Sequence, residues 1–224
     1  MKNDNVVGNS KIYMGHNASG ERIELDFDKE RISFVMLLGY TGTGKTMFLY
    51  NLIKQLSEKY SSRELGFVLL DMTLIDFCGW KSDYLHTPVI SEPQEAIQAL
   101  LDLTAEKPKK KIFVIIEECD MVHKNRKKLE DAFVKLKESK NIFIVYSTSR
   151  IDKKYLEPWM KEFVDLQVVF SVGWKAEYAH FLLGSNSASQ PKKVGEKILA
   201  FNGVQIKCQP FSEKEAEILR SFKL

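Results

Sequence analysis

Cysteine is scarce in this 224-residue sequence: Cys78, Cys119 and Cys208 are the three present, and no two share C-x-x-C spacing. That argues against a disulfide framework or a cysteine-built zinc site, and it fits a reducing, cytosolic compartment. Long apolar runs are missing as well; none approaches the roughly 18 residues that span a bilayer. The opening MKNDNVVGNS is polar, unlike a secretory leader. Charge of one sign is also lacking: 33 Lys+Arg against 30 Asp+Glu leave +3. Composition alone therefore gives no grounds for a charge-driven nucleic-acid binder. There is no internal repeat, and the one low-complexity run is KPKKK at Lys107–Lys111. With 44% hydrophobic and 28% charged residues, the chain suits one sizeable α/β core and is short for two domains. The expectation is a soluble chain that could be one piece of a larger membrane protein.

Alternation dominates the pattern. KIYMGHNASGERIELDF predicts a hairpin turning at Asn17-Ala18-Ser19-Gly20. ISFVMLLG is a continuous apolar run of the kind buried on both faces of a sheet. After it, Leu49, Leu52, Ile53 and Leu56 fall at i, i+3, i+4 and i+7, one face of a helix. GFVLLD, KIFVIIEE, NIFIVYSTS and LQVVFSV predict further strands. SEPQEAIQALLDL, RKKLEDAFVKLKE, LEPWMKEF and Tyr178–Leu183 predict helices between them, the first with Ser91 as N-cap, Pro93 in its first turn and Gln94 closing a capping box. GSNSASQPKKVGE, Gly184–Glu196, predicts an exposed loop. The chain closes with a hairpin at Asn202-Gly203 and a helix capped by Ser212 and Glu215. The sum is an α/β fold: a mainly parallel sheet with helices on both faces, flanked by short β-hairpins. One domain is expected, with an N-terminal hairpin over 11–26, a nucleotide-binding core over 32–171 and a helix-hairpin-helix extension over 172–224.

The run GYTGTGKT, residues 39–46, carries the chemistry. Gly39, Gly44, Lys45 and Thr46 satisfy G-x-x-x-x-G-K-[ST], between a predicted strand and a predicted helix. Such a loop turns successive backbone N–H groups inward around phosphate oxygens, aided by the helix N-terminus. Gly39, Tyr40, Thr41, Gly42, Thr43, Gly44, Lys45, Thr46 and Met47 are therefore expected to line ATP. Lys45 would reach the β/γ-phosphates, and the Thr46 hydroxyl would ligate Mg²⁺. IFVIIEE supplies the acidic strand: Glu117 is placed at the metal shell and Glu118 at the attacking water. Adjacent strand residues point to opposite faces, so both acids can serve one site only where the backbone bends. VYSTSR ends the next strand. Ser147 or Thr148 is the candidate γ-phosphate sensor and Arg150 the candidate finger, in its own site or a neighbour's. Arg126 and Arg220, by contrast, read as solvated charges.

The order of these parts resembles the FtsK/SpoIIIE branch of P-loop ATPases over nearly the whole chain. FVLLDMTLIDFCGWKSDYLHTPVISEPQEAIQALLDL parallels that branch's run from second strand to third helix, with Asp71 at the strand end. NIFIVYSTSR parallels its sensor strand, with Ser149 where Gln is usual. Within the branch, YMGHNASGERIELDFDKERISFVMLLGYTGTGKT resembles the opening of the C-terminal ATPase domain of type VII secretion coupling proteins, the EssC/EccC type. FVIIEECDMV, with Asp120 two residues after Glu118, YLEPWMKEF and FLLGSNSASQPKKVGEKIL are similar to later motifs of that domain. The resemblance implies a cytoplasmic RecA/FtsK-like module of a membrane-anchored complex. Its neighbours would be other ATPase domains of the same chain or oligomer, and its substrates secreted WXG-type helical hairpins. It implies ATP and Mg²⁺ as ligands. Glu117 in place of Asp and the missing Gln leave turnover open and point to slow hydrolysis in isolation.

Two alternatives remain at this level. One is a DNA-translocating ATPase, for which Lys107–Lys111 and Lys124–Lys128 are the basic candidates. The other is a subunit in which ATP only rigidifies an interface. Trp80, Tyr84, Trp159 and Trp174 are candidate exposed anchors for substrate, with packing in the core as the plainer expectation.

Overall fold

The computed structural model describes residues 11–118, 126–151, 162–173, 183–184 and 191–224. The helix expected at Tyr178–Leu183, Trp159, Trp174, Cys119, Asp120 and Lys124 lie wholly or mainly outside them, as does most of the LEPWMKEF helix.

A two-stranded hairpin opens the chain: β1 (Lys11–His16) pairs antiparallel with β2 (Arg22–Asp26). Its turn closes as expected, with Asn17 Oδ1 accepting from the Ser19 and Glu21 amides. The main sheet contains β3 (Phe34–Leu38), β4 (Leu65–Asp71), β5 (Lys111–Glu117), β6 (Ile142–Thr148), β7 (Leu166–Val169), β8 (Lys197–Phe201) and β9 (Val204–Cys208). Its order is β4-β5-β6-β3-β7-β8-β9. The members from β4 to β7 run parallel, while β8 and β9 join antiparallel. The C-terminal hairpin is thus fused to the main sheet and does not flank it as expected. Asn202 and Gly203 both take positive φ (47° and 75°), the conformation a two-residue hairpin turn demands.

Alternate residues of the central strands feed two cores. Phe34, Met36, Val68, Leu70, Val114, Ile116, Ile144 and Tyr146 pack on one face with α2 (Pro93–Glu106) and α3 (Arg126–Lys137). Val35, Leu37, Phe67, Leu69, Phe113, Ile115, Phe143 and Val145 face α1 (Lys45–Lys59) and the N-terminal hairpin. Leu49, Leu52, Ile53 and Leu56 are all buried there. Burial on both faces is why these strands read as unbroken apolar runs. The exposed edge of β4 is covered by residues 84–90, through Phe67 N to Tyr84 O (2.7 Å) and Asp71 N to Ile90 O (2.8 Å); such cover blunts a sheet edge.

Two local expectations change. Helix α2 begins one residue later than its sequence suggests: Glu92, not Ser91, is the N-cap, no side chain caps it, and Pro93 takes the first helical position. Proline there gives up an N–H that would be orphaned anyway, so the Ser–Gln capping box is not used. Trp80 and Tyr84 serve packing. Trp80 is 6% exposed among Tyr50, Phe77 and Phe222, and the Tyr84 hydroxyl donates to Ser57 O and Tyr60 O. The last helix, α4 (Glu213–Ser221), carries the expected Ser212–Glu215 capping box.

One buried group opposes the fold. Lys197 on β8 is fully buried, its Nζ 4.6 Å from the Phe211 ring centroid and 6.0 Å from that of Phe48, with no hydrogen-bond partner among the described residues. Burial pushes this amine down to about 8, with Cys208 and Glu215 pulling weakly the other way. A depressed amine contributes best above the unfolded value of 10.5 and loses stability as pH falls toward 8, staying level below that. The shift corresponds to about 3 kcal/mol at most. Lys197→Met keeps the stem and removes the charge, so its melting temperature at pH 7 should rise by roughly 3–10 °C, with a smaller gain at pH 10. Differential scanning calorimetry checks this; an unchanged or lower value at pH 7 would show that the amine is satisfied in solution.

Candidate functional site

Loops at the C-terminal ends of β3, β4, β5 and β6 enclose a cavity of about 540 Å³. In open parallel sheets that edge is where ligands bind. Thr41, Gly42, Gly44, Lys45, Thr46 and Met47 line it from the β3–α1 loop, Thr73, Ile75 and Asp76 from the β4 loop, Glu117 and Glu118 from β5, and Ser149 and Arg150 from β6.

The loop is held tightly from behind. A Cβ on Gly39 would stand 2.6 Å from Thr43 Oγ1 and 2.7 Å from Phe170 Cβ, so only glycine fits there. Gly44 has φ 111° and a Cβ there would reach Gly195 Cα at 3.0 Å. The Thr43 amide and hydroxyl both donate to Tyr40 O (3.2 and 2.6 Å), and Gly195 N donates to Thr43 O at 2.9 Å. Glu196 in turn accepts from the Lys192 and Lys193 amides, fixing the segment that supports the loop. Lys45 Nζ, 5% exposed, donates to Gly39 O at 2.9 Å and lies 3.9 Å from Glu118 Oε1. A lysine parked on its own loop's carbonyl is placed to turn toward a phosphate.

The bend expected at the acidic strand is present. Glu118 takes φ 53°, a left-handed conformation rare outside glycine, and this brings its side chain to the cavity that Glu117 also lines. Glu118 Oε2 accepts from Ser149 N (3.0 Å) and Ser149 Oγ (2.9 Å). Ser149, noted in the sequence only as a replacement for Gln, is thus the group that grips Glu118. Glu117 is 3% exposed, no solvated strand end, and its Oε2 has no hydrogen-bond partner among the described residues. Burial raises its carboxyl to about 8; Asp76 adds to this, Lys45 and the nearby Ser147 hydroxyl oppose it, and Glu118 adds a smaller push.

Other expected residues stand behind the cavity. Ser147 and Thr148 are buried at the end of β6; Ser147 Oγ is unpaired among the described residues, and Thr148 Oγ1 accepts from Arg150 N at 3.1 Å. Neither lines the wall, so a sensor contact from them needs movement. Tyr40 lies outward, its ring against Gly173, and Gly39 and Thr43 shape the loop without lining it. Sequence reasoning missed Asp76. Its carboxylate lies beside the Thr46 hydroxyl, which pulls its pKa down, while burial and the nearby Asp71 outweigh this and raise it. The signal that could have found it was Asp71: Oδ1 accepts from the Thr73 amide and hydroxyl, and Oδ2 from the Phe77 amide, which folds the loop so that Asp76 faces inward.

ATP and Mg²⁺ fit what is present. The cradle is glycine-built, Lys45 lines the same cavity, and Glu117 brings to it a buried carboxylate oxygen with no hydrogen-bond partner among the described residues. No group of three or more His, Cys, Asp or Glu among the described residues could hold a metal unaided. That matches Mg²⁺, which keeps most of its waters and leans on phosphates.

The raised Glu117 carboxyl has a measurable consequence in the ligand-free protein. Its folded value lies above the unfolded one, so its contribution is fully present below pH 4.5 and is lost as pH rises to about 8. Glu117→Gln should therefore raise the melting temperature at pH 8.5 and change it little at pH 4.5. Equal shifts at both values would contradict a buried, uncompensated acid.

The FtsK/SpoIIIE family profile matches residues 1–199. Curated relatives include a DNA translocase FtsK of Leptospira interrogans, 29% identical over 90 residues, which are 40% of this chain and 9% of that protein. Another is the FtsK of Halalkalibacterium halodurans, 27% identical over 96 residues, 42% of this chain and 12% of that one. The matched stretch is thus about a tenth of these relatives' length. Among solved structures, the cytoplasmic domain of the Thermomonospora curvata type VII secretion ATPase EccC superposes with a TM-score of 0.76 at 17% identity, covering 96% of this chain and 31% of that one. The pCW3 conjugation coupling protein TcpA, with ATPγS, gives 0.74 at 16% identity, covering 95% and 71%. EccC ATPases 2 and 3 of T. curvata, in complex with a signal sequence peptide, give 0.74 at 14% identity, covering 92% and 41%. The fold is that of these P-loop ATPases, and the chain belongs to the FtsK/SpoIIIE family.

Proposed function

We propose that this chain is an ATP-binding module of a type VII protein secretion coupling protein, which recognises secreted WXG-type substrates and couples ATP binding and hydrolysis to export. The observation that carries the nucleotide part is the convergence of Lys45, Thr46, Glu117 and Glu118 on one glycine-built cavity. Secretion is supported by the likeness to the EccC domains, one solved with a signal sequence peptide. The module would work on the cytoplasmic side of a membrane-anchored complex, beside other ATPase domains of the same chain or oligomer. Among the described residues no helix is long and apolar enough to cross a membrane.

In this reading Lys45 would exchange Gly39 O for the β/γ-phosphates, and Thr46 with Glu117 would hold Mg²⁺. When bound, the ion supplies charge neutralisation at the transferring phosphoryl group. Glu118, held by Ser149, takes a proton from the attacking water. Arg150 offers its guanidinium from the rim, to its own nucleotide or a neighbour's.

A DNA-translocating motor is the second reading, favoured by the FtsK names of the curated relatives. Its basic candidates are poorly disposed. Lys107–Lys111 leads into β5 at the sheet edge opposite the cavity, and Lys111 is paired with Asp28 at 2.6 Å.

Two experiments test these assignments. Lys45→Ala should weaken binding of a fluorescent ATP analogue at least tenfold, while Glu118→Gln should bind normally and lose about a hundredfold or more in single-turnover hydrolysis. Equal slow turnover by wild type and Glu118→Gln would make ATP a ligand and not a fuel. Fluorescence anisotropy against a labelled C-terminal tail of a WXG-type protein should show saturable binding, with little response to duplex DNA at physiological salt. Salt-sensitive DNA binding with an indifferent tail would replace the secretion reading.

A further inference from the structure

The β4 loop is built with more care than a connection needs. Asp71 spends both carboxylate oxygens on it, accepting from Thr73 N and Oγ1 at 3.1 and 2.7 Å and from Phe77 N at 2.8 Å. The Tyr50 hydroxyl, from α1, donates to the Asp76 backbone carbonyl at 2.8 Å. Leu74 accepts φ 58°, a strained conformation for a leucine, and Leu74 and Ile75 are left 59% and 77% exposed. These costs have one evident product: Asp76 is bracketed on both sides and faces the cavity that Thr46 also lines. The same cavity is lined by Glu117, almost wholly buried, with an unpaired oxygen.

We propose that Asp76 is a further carboxylate of the divalent-cation site, acting with Glu117 on the water shell of the nucleotide-bound ion and fixing the Thr46 hydroxyl toward it. The inference rests on the nucleotide reading above and adds a residue that the strand-borne acids do not supply. Direct chelation by the protein is not required. Mg²⁺ retains several waters and takes one or two carboxylates beside its phosphates. A ligand's own partner matters here: groups that orient a metal-binding hydroxyl or its waters commonly hold ten- to a hundredfold of the metal's affinity. Asp76 adds a shorter acid to the same cavity, on a loop held by Asp71 and Tyr50.

Binding of a fluorescent ATP analogue tests this without relying on turnover. Each protein is titrated with the analogue in excess chelator, then with Mg²⁺ at fixed analogue. Asp76→Asn preserves shape and can still accept from Thr46, so its chelator affinity should equal or exceed that of wild type. Its half-saturating Mg²⁺ concentration should rise by about tenfold. Asp76→Ser serves as a second variant, with the same expected shift, and unfolding curves confirm that both are folded. Mg²⁺ titrations matching wild type in both variants, while Glu117→Gln is shifted, would overturn the role of Asp76 and leave the nucleotide site standing. Failure of wild type to bind the analogue in either condition would overturn both.

Discussion

A buried carboxylate with an unpaired oxygen ends β5, a strand whose Ile112, Phe113, Val114, Ile115 and Ile116 are all but inaccessible to solvent. Placing Glu117 there costs free energy, because desolvation penalises its charged form by more than Lys45 and the Ser147 hydroxyl offset. Much of the surrounding architecture is explained by that position. Helix α1 brings Lys45 and Thr46 to it, the β4 loop brings Asp76, and the left-handed turn at Glu118 brings the second acid to the same cavity. The cavity gathers three carboxylates near Lys45, a charge balance that a cation arriving with a phosphate chain would relieve. A stable core on both sheet faces is what lets the protein tolerate it.

The same logic orders the support behind the loop. Gly39 and Gly44 are close to Phe170 and Gly195, so the phosphate cradle is wedged between the sheet and the segment leading into β8. Glu196 holds that segment by its backbone, and β8 adds to the sheet beside β7. The C-terminal hairpin therefore belongs to the machinery of the site. Behind it, the Lys197 amine lies between the Phe48 and Phe211 rings.

How much of this the sequence disclosed follows from what each feature depends on. The central strands were legible because burial on both faces writes an unbroken apolar run, and α1 because its buried face repeats every three to four residues. The loop at Gly39–Thr46 was legible because the motif fixes residue types at fixed spacing, and Gly39 and Gly44 are required sterically where it put them. The bend joining Glu117 and Glu118 could be deduced from strand geometry, but Ser149 as its anchor could not, since that pairing crosses from β5 to β6. Asp76 lies in MTLID, where no period exists; its direction is set by three donors to Asp71. Ser91 looked like a cap because local sequence favours it, and Pro93 moved the start by one residue. The fusion of β8 and β9 to the sheet depends on register with β7, which no local pattern encodes.

The central claim is that the acids and the loop form a site for a nucleotide with its magnesium ion. A crystal structure of the chain with Mg²⁺ and ATPγS tests it most directly. The account predicts phosphates within Gly42–Thr46, Lys45 turned from Gly39 O to the γ-phosphate, and Thr46, Glu117 and Asp76 around the ion or its waters. A nucleotide bound elsewhere, or an ion with Glu117 and Asp76 both turned away, would contradict it.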